Sequence, residues 1–232
     1  MEDAVLPESH ILEVLSRLPL KTIIRCKCVC KKWRDLVSHT YFVDLHLSRS
    51  RRCLTFHSDP ILELVEVEHE VGCNRLTINR VKSVDLHLSA VGAFNRIFQV
   101  GSVNGLICLH QEGYATYIFN PVVEEYMILP EPRFLDYVWC LSYGFGVSLA
   151  GEYKVIRVCG WTEPEYLEAE VDAVEIDVYT LGTNQWRRLG QTPFNIDYSG
   201  ELGSSGVFVK SHVYWIADGQ IYDFNLDTKK FE

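Results

Sequence analysis

Three segments of this chain share one spacing, and that spacing limits the fold more than any other feature of the sequence. Phe119-Asn120-Pro121-Val122-Val123-Glu124-Glu125-Tyr126, Tyr179-Thr180-Leu181-Gly182-Thr183-Asn184-Gln185-Trp186 and Phe224-Asn225-Leu226-Asp227-Thr228-Lys229-Lys230-Phe231 each begin with an aromatic residue and place a second one seven positions on. A polar turn lies between. Such a segment predicts a hairpin whose two strands each offer an aromatic to one face, with Asn, Asp, Gly or Pro where the turn needs unusual backbone angles. The starts lie 60 and 45 residues apart, compatible with blades of a β-propeller, which run to about 40–50 residues and tolerate loop insertions. The third copy predicts a whole blade, with strands near 206–209, 213–217 and 220–225 and a fourth beginning at Lys230.

The surroundings agree. After Arg52 the chain consists of short β-branched and aromatic runs such as Gly105-Leu106-Ile107-Cys108-Leu109, Tyr153-Lys154-Val155-Ile156-Arg157-Val158 and Val213-Tyr214-Trp215-Ile216-Ala217. The dipeptides Asn104-Gly105 and Asp218-Gly219 sit between runs, as two-residue antiparallel hairpins require. A looser first set of strands is expected around 53–57, 62–68 and 75–81, giving at most four blades' worth. The sequence stops at Phe231-Glu232, inside the expected last strand, so the β region is expected to be incomplete. An unclosed ring leaves strand edges unpaired. That leaves a truncated chain, an open fan, or an edge covered by another chain.

From Leu6 to Ser38 the apolar spacing is helical instead. Ile11, Leu15 and Leu18 fall at i, i+4 and i+7 between Pro7, tolerated in a first turn, and Pro19, which a helix interior cannot accept. A short helix through Leu20, Ile23 and Ile24 follows. A third carries Val29, Trp33, Leu36 and Val37 on one stripe. Three helices in about forty residues bury too little apolar surface to stand comfortably alone, so their apolar excess is a candidate interface.

Charge and composition narrow the function. The net charge is −9, but residues 1–52 hold ten Lys/Arg against six Asp/Glu while residues 53–232 hold twelve against twenty-five. An acidic body of this kind argues against DNA or RNA as a partner, because phosphate binding needs clustered Lys/Arg. Met1 to His10 lacks a basic start and an apolar run, and nowhere do about eighteen apolar residues run together, so a soluble, unexported protein without a membrane partner is expected. The eight cysteines then read as reduced thiols. The alternation Cys26-Lys27-Cys28-Val29-Cys30 lacks the Cys-x-x-Cys pair and the His pair of a zinc finger. There is no Gly-x-Ser-x-Gly elbow and no phosphate-binding Gly loop, and Tyr143-Gly144-Phe145-Gly146 lacks the third glycine of a dinucleotide fingerprint. No catalytic residue, cofactor or metal is therefore expected.

At its N-terminus the sequence resembles the F-box family: Leu6-Pro7, Ile11, Leu15, Leu18-Pro19, Val29-Cys30-Lys31-Lys32-Trp33 and Leu36 match its Leu-Pro start, Leu-Pro break and Val-Cys-Lys-x-Trp close. The remainder resembles the kelch-like F-box-associated region of plant F-box proteins. The shared phrases are Val103-Asn104-Gly105-Leu106-Ile107-Cys108-Leu109, Phe119-Asn120-Pro121, Tyr143-Gly144-Phe145-Gly146, Tyr153-Lys154-Val155-Ile156, Trp186-Arg187-Arg188-Leu189 and Val213-Tyr214-Trp215, in family order. The resemblance implies an α+β multidomain chain: a three-helix F-box over 1–45, a basic linker over 46–52, and an all-β, propeller-like domain over 53–232. It also implies a non-catalytic substrate-receptor subunit of a Skp–cullin–F-box ubiquitin ligase, acting in cytoplasm or nucleus, which holds the Skp adaptor, and cullin through it, while presenting a protein target. The adaptor contacts so implied are Leu6, Pro7, Ile11, Leu15, Leu18, Pro19, Val29, Cys30, Trp33 and Leu36, some of which must instead fill the module's own core.

Several residues support two readings. Trp33 suits an interface anchor or a core tryptophan. Arg49-Ser50-Arg51-Arg52 suits a solvated linker better than a nuclear signal. The acidic run with Glu163, Glu165, Glu168 and Glu170 reads as a long loop whose charge would attract a basic target, or as a loop that is merely soluble. Asp44-Leu45-His46-Leu47-Ser48 recurs as Asp85-Leu86-His87-Leu88-Ser89 without a physical reason. Two rival functions remain: a non-degradative regulator that occupies the adaptor without delivering a target, and a propeller enzyme or sugar-binding module with carboxylates in a central funnel.

Overall fold

In the computed structural model, residues 7–58, 61–69, 76–86, 96–112, 115–131, 138–161, 173–194 and 205–232 are described. They form two compact units, residues 1–89 with 122–124, and residues 90–121 with 125–232. Four helices come first and four antiparallel sheets follow, an α+β layout.

The helices of the first unit are α1 (Glu8–Leu15), α2 (Leu20–Cys26), α3 (Lys31–Ser38) and α4 (Thr40–Arg49). Pro7 opens α1 as expected, whereas Pro19, expected to close that helix, opens α2 instead, α1 having ended at Leu15. Pro7 accepts at its carbonyl from His10 N at 3.0 Å and Ile11 N at 3.3 Å, and Pro19 from Thr22 N at 2.8 Å and Ile23 N at 3.1 Å. At the start of α3 an unusual cap, the Cys30 thiol, accepts from Trp33 N at 3.5 Å, where Ser, Thr, Asp or Asn is the usual choice.

The fourth helix was not anticipated. It runs through residues 46–49 of the segment taken for a linker. Tyr41, Phe42, Val43, Leu45 and Leu47 do not keep a 3.6-residue stripe, so local periodicity gives no helix signal. Tertiary contacts hold it: His46 Nε2 lies 3.1 Å from the Leu18 carbonyl, and Arg49 pairs with Glu13 at 2.8 Å while also donating to the Ser16 hydroxyl. The recurring Asp-Leu-His-Leu-Ser phrase is helical at 44–48, whereas its second copy begins on the last residue of a strand, Asp85.

The same unit contains the three-stranded sheet of β1 (Cys53–Ser58), β2 (Ile61–His69) and β3 (Leu76–Asp85), in that order. It lies close to the loosely expected first strand set.

The second unit is three successive four-stranded meanders. They are β4 (Ile97–Val103), β5 (Leu106–Gln111), β6 (Ala115–Asn120) and β7 (Glu125–Ile128); β8 (Val138–Val147), β9 (Tyr153–Trp161), β10 (Ala173–Thr180) and β11 (Trp186–Gln191); and β12 (Val207–Val209), β13 (His212–Ala217), β14 (Gln220–Asn225) and β15 (Lys230–Phe231). The aromatic spacing has a direct structural meaning. Phe119 pairs with Tyr126, Tyr179 with Trp186, and Phe224 with Phe231, each directly across the hairpin that closes its sheet. Two aromatics seven apart meet because a turn of this length brings them into register on one face. Both Asn-Gly and Asp-Gly dipeptides form the expected two-residue turns, with φ of 51° and 81° at Asn104 and Gly105 and 52° and 71° at Asp218 and Gly219.

The first strands of successive meanders meet, β4 against β8 and β8 against β12. Glycine permits the second of these contacts. A Cβ on Gly144 would stand 2.8 Å from Val213 and 2.9 Å from the Trp215 ring, and one on Gly206 would stand 2.5 and 2.6 Å from the same side chains. Trp215 occupies that space and donates its indole N–H to the Ser142 hydroxyl at 3.0 Å. Of the two glycines in Tyr143-Gly144-Phe145-Gly146, Gly144 thus makes room for a tryptophan and Gly146 for the side chains of Phe208 and Leu226.

Candidate functional site

The helical module divides the ten implied contact residues. Leu15 and Leu36 are buried with Ile23, Cys26, Val37 and Phe42, and form the module's own core. Ile11, Leu18 and Trp33 pack against that core and remain partly exposed, so each has an inward and an outward edge. Pro7, Pro19, Val29 and Cys30 are exposed. Leu6 lies outside the described residues.

Four outward apolar residues of the helices lie beyond that set, Val43 on α4 among them. Val14 is 62% exposed and Tyr41 61%, comparable to Val29 at 63%, and Ile24 also faces out. The apolar spacing puts Ile24 on α2 but does not say which side of that helix it takes. Val14 stands at i+3 from Ile11 on the same helical stripe, which does not tell that it faces out, and Tyr41 belongs to α4, which local periodicity does not show. The module therefore fills a core of its own and still leaves apolar side chains in water, which are candidates for contact with a partner.

Beside α1, the side chains of Leu12, Leu36, Phe42 and Tyr41 line a groove with Glu8, Lys31, Lys32, Asp35 and His39. Its sides carry both signs of charge. At the other end of α1, hydrogen bonds from Arg49 and Arg17 hold the Glu13 carboxyl below the usual carboxylate range. That cluster ties the ends of α1 and α4 together and needs no partner.

Of the three alternating cysteines, Cys26 is buried while Cys28 and Cys30 face outward. The acidic residues Glu163, Glu165, Glu168 and Glu170 lie outside the described residues.

The charged side chains buried in the second unit have structural partners. Arg157 pairs with Asp177 at 2.9 Å with both nearly enclosed, and its guanidinium lies 5.4 Å from the centre of the Trp186 ring. Asp177 also accepts from Arg188. Lys154 Nζ, wholly buried, donates to Glu152 and to the Leu226 carbonyl, each at 2.8 Å. Among the described residues Asp177 is the carboxylate buried in this sheet, and it is held between Arg157 and Arg188.

Comparison with known proteins decides the family. A model described as F-box domain matches residues 5–44, and one described as F-box associated beta propeller domain matches residues 51–232. This chain is a plant F-box protein with an F-box-associated region. Among its Arabidopsis thaliana relatives, F-box protein At3g07870 is 28% identical over 98% of this chain and 59% of its own length. F-box/WD-40 repeat-containing protein 1 is 27% identical over 100% of this chain and 55% of its own length, and F-box/kelch-repeat protein At3g17530 is 25% identical over 91% and 54%. This F-box protein thus spans about half the length of the curated relatives it matches.

Proposed function

We propose that this F-box protein is a substrate-receptor subunit of a Skp–cullin–F-box ubiquitin ligase. The helical module docks on a Skp-type adaptor, cullin joins through it, and the β region presents a protein target for ubiquitination and degradation. The chain performs no chemistry in this role, and it works in cytoplasm or nucleus. The observation that carries the reading is the F-box match over residues 5–44 on a module that keeps Val14, Val29 and Tyr41 in water beside a filled core. Three successive meanders whose first strands meet support a propeller-like arrangement of that region. The acidic run 163–175 is the candidate site for a basic target.

The test is co-purification of the full chain with a Skp adaptor. Wild type is expected to form a one-to-one complex, and Val29→Asp combined with Val14→Asp to lose it at unchanged helical content. Retention by the folded double variant would exclude the docking face named here. Ubiquitination of a captured partner in the reconstituted ligase separates a receptor from a regulator that only occupies the adaptor.

A further inference from the structure

The last meander carries a set of side chains that the docking function does not use. On β13 the residues Val213 and Trp215 face the core, so His212 and Tyr214 alternate to the opposite face. Tyr214 pairs with Asp223 on β14, which puts Asp223 on that same face. Glu232 N donates to the Asp223 carbonyl at 2.9 Å, directly after the Phe224–Phe231 pair, and so Glu232 stands across from Asp223. An imidazole and two carboxylates thus converge from neighbouring strands.

We infer that His212, Asp223 and Glu232 form a binding site for a divalent transition-metal ion of the zinc class. One donor atom from each lies within 4.8 Å of the others, and His212 Nδ1 is 2.7 Å from Asp223 Oδ1. Carboxylates directly opposite on adjacent strands repel each other, and a cation between them turns that repulsion into attraction. One imidazole nitrogen with two carboxylate oxygens suits Zn2+, with water in the remaining position.

The surroundings orient these donors. Asn225 Nδ2 donates to Glu232 Oε1 at 2.7 Å, and the Asn225 amide is itself fixed because its oxygen accepts from Asp227 N at 2.9 Å and Thr228 N at 3.1 Å. The His212 ring lies 17° from parallel to the Tyr214 ring, 6.1 Å between centres. Outer partners of this kind hold metal ligands in position. The His212 and Asp223 side chains keep about a quarter of their surface in water, so an ion can enter. A bound ion would staple β15, only two residues long, to its neighbours.

The experiment is calorimetric titration of the full chain with Zn2+, after alkylating the accessible thiols, among the described residues those of Cys28, Cys30 and Cys53, which would bind zinc themselves. Wild type should show one saturable site that raises the melting temperature. His212→Ala and Glu232→Gln should each weaken that site at least tenfold, and Asn225→Ala by about tenfold through loss of orientation. Glu232→Gln keeps the side-chain shape at an exposed position, so it reports on the ligand even if His212→Ala folds poorly. An isotherm shared by wild type and Glu232→Gln would overturn the assignment. So would equal affinity for Mg2+, since that describes a merely acidic surface.

Discussion

At Gly206 a single missing methyl group decides whether two sheets can meet. Its absent Cβ leaves room for Val213 and the Trp215 ring, both buried, and the ring cannot move aside without disturbing its hydrogen bond to Ser142. Gly206→Ala is therefore expected to cost about 1–3 kcal/mol, the usual effect of overpacking, read as a lower urea midpoint at unchanged slope. His110 makes a second prediction of this size. It is buried beside Thr116 and Tyr143, and burial, with the charge of Arg157 adding to it, lowers its pKa to about 4. The unfolded chain binds that proton near pH 6.5, so between those values the unfolded state holds more protons. Stability contributed by neutral His110 is complete above about pH 6.5 and is lost as pH falls towards 4, by about 3 kcal/mol at most. Urea unfolding between pH 4 and 7 should show this slope in wild type and a shallower one in His110→Gln. At this scale the sequence was least legible. Leu15, Leu36 and Val29 are all apolar residues at helical spacing, and nothing local says that the first two face inward and the third faces water.

Among the elements, legibility followed the range of the interactions that form them. The closing hairpins could be read because their aromatic pairs, turn and register lie within eight residues. The turn at Lys210-Ser211 could not. It has φ of 46° and 67°, the left-handed pair of the Asn-Gly turns, but no glycine or asparagine to announce it. Helix α4 escaped for the opposite reason, since its partners Glu13, Ser16 and Leu18 are some thirty residues away. The three hairpins also share a strained position, five residues after the first aromatic: Glu124, Asn184 and Lys229 have φ of 61°, 56° and 57°. Only the middle copy has a residue that tolerates this region well. Lys229→Asn should accordingly stabilise by about 0.5–1 kcal/mol, seen as a higher melting temperature, with the Lys229 N to Asn225 carbonyl bond of 2.8 Å preserved.

For the whole molecule, the change from helical to strand periodicity near Arg52 is where the two family matches meet, one ending at residue 44 and the other starting at 51. Compact units need not break at the same place, and the sheet β1–β3 clusters with the helices although its sequence belongs to the second match. Strand pattern shows that a segment is β but not what it packs with, and so the sequence could not assign this sheet. Each unit has a core of its own, Leu15, Ile23, Leu36 and Phe42 in the helices and Trp215, Phe224, Val158 and Val178 in the meanders. Damage to one core should therefore leave the work of the other intact. Gly206→Ala, which strains only the meanders, is expected to keep the wild-type yield of adaptor complex while lowering the midpoint followed by Trp186 and Trp215. Val14→Asp with Val29→Asp should do the reverse. Loss of adaptor capture in Gly206→Ala at a temperature where its helices remain folded would mean that docking depends on the meanders as well as on the helical face.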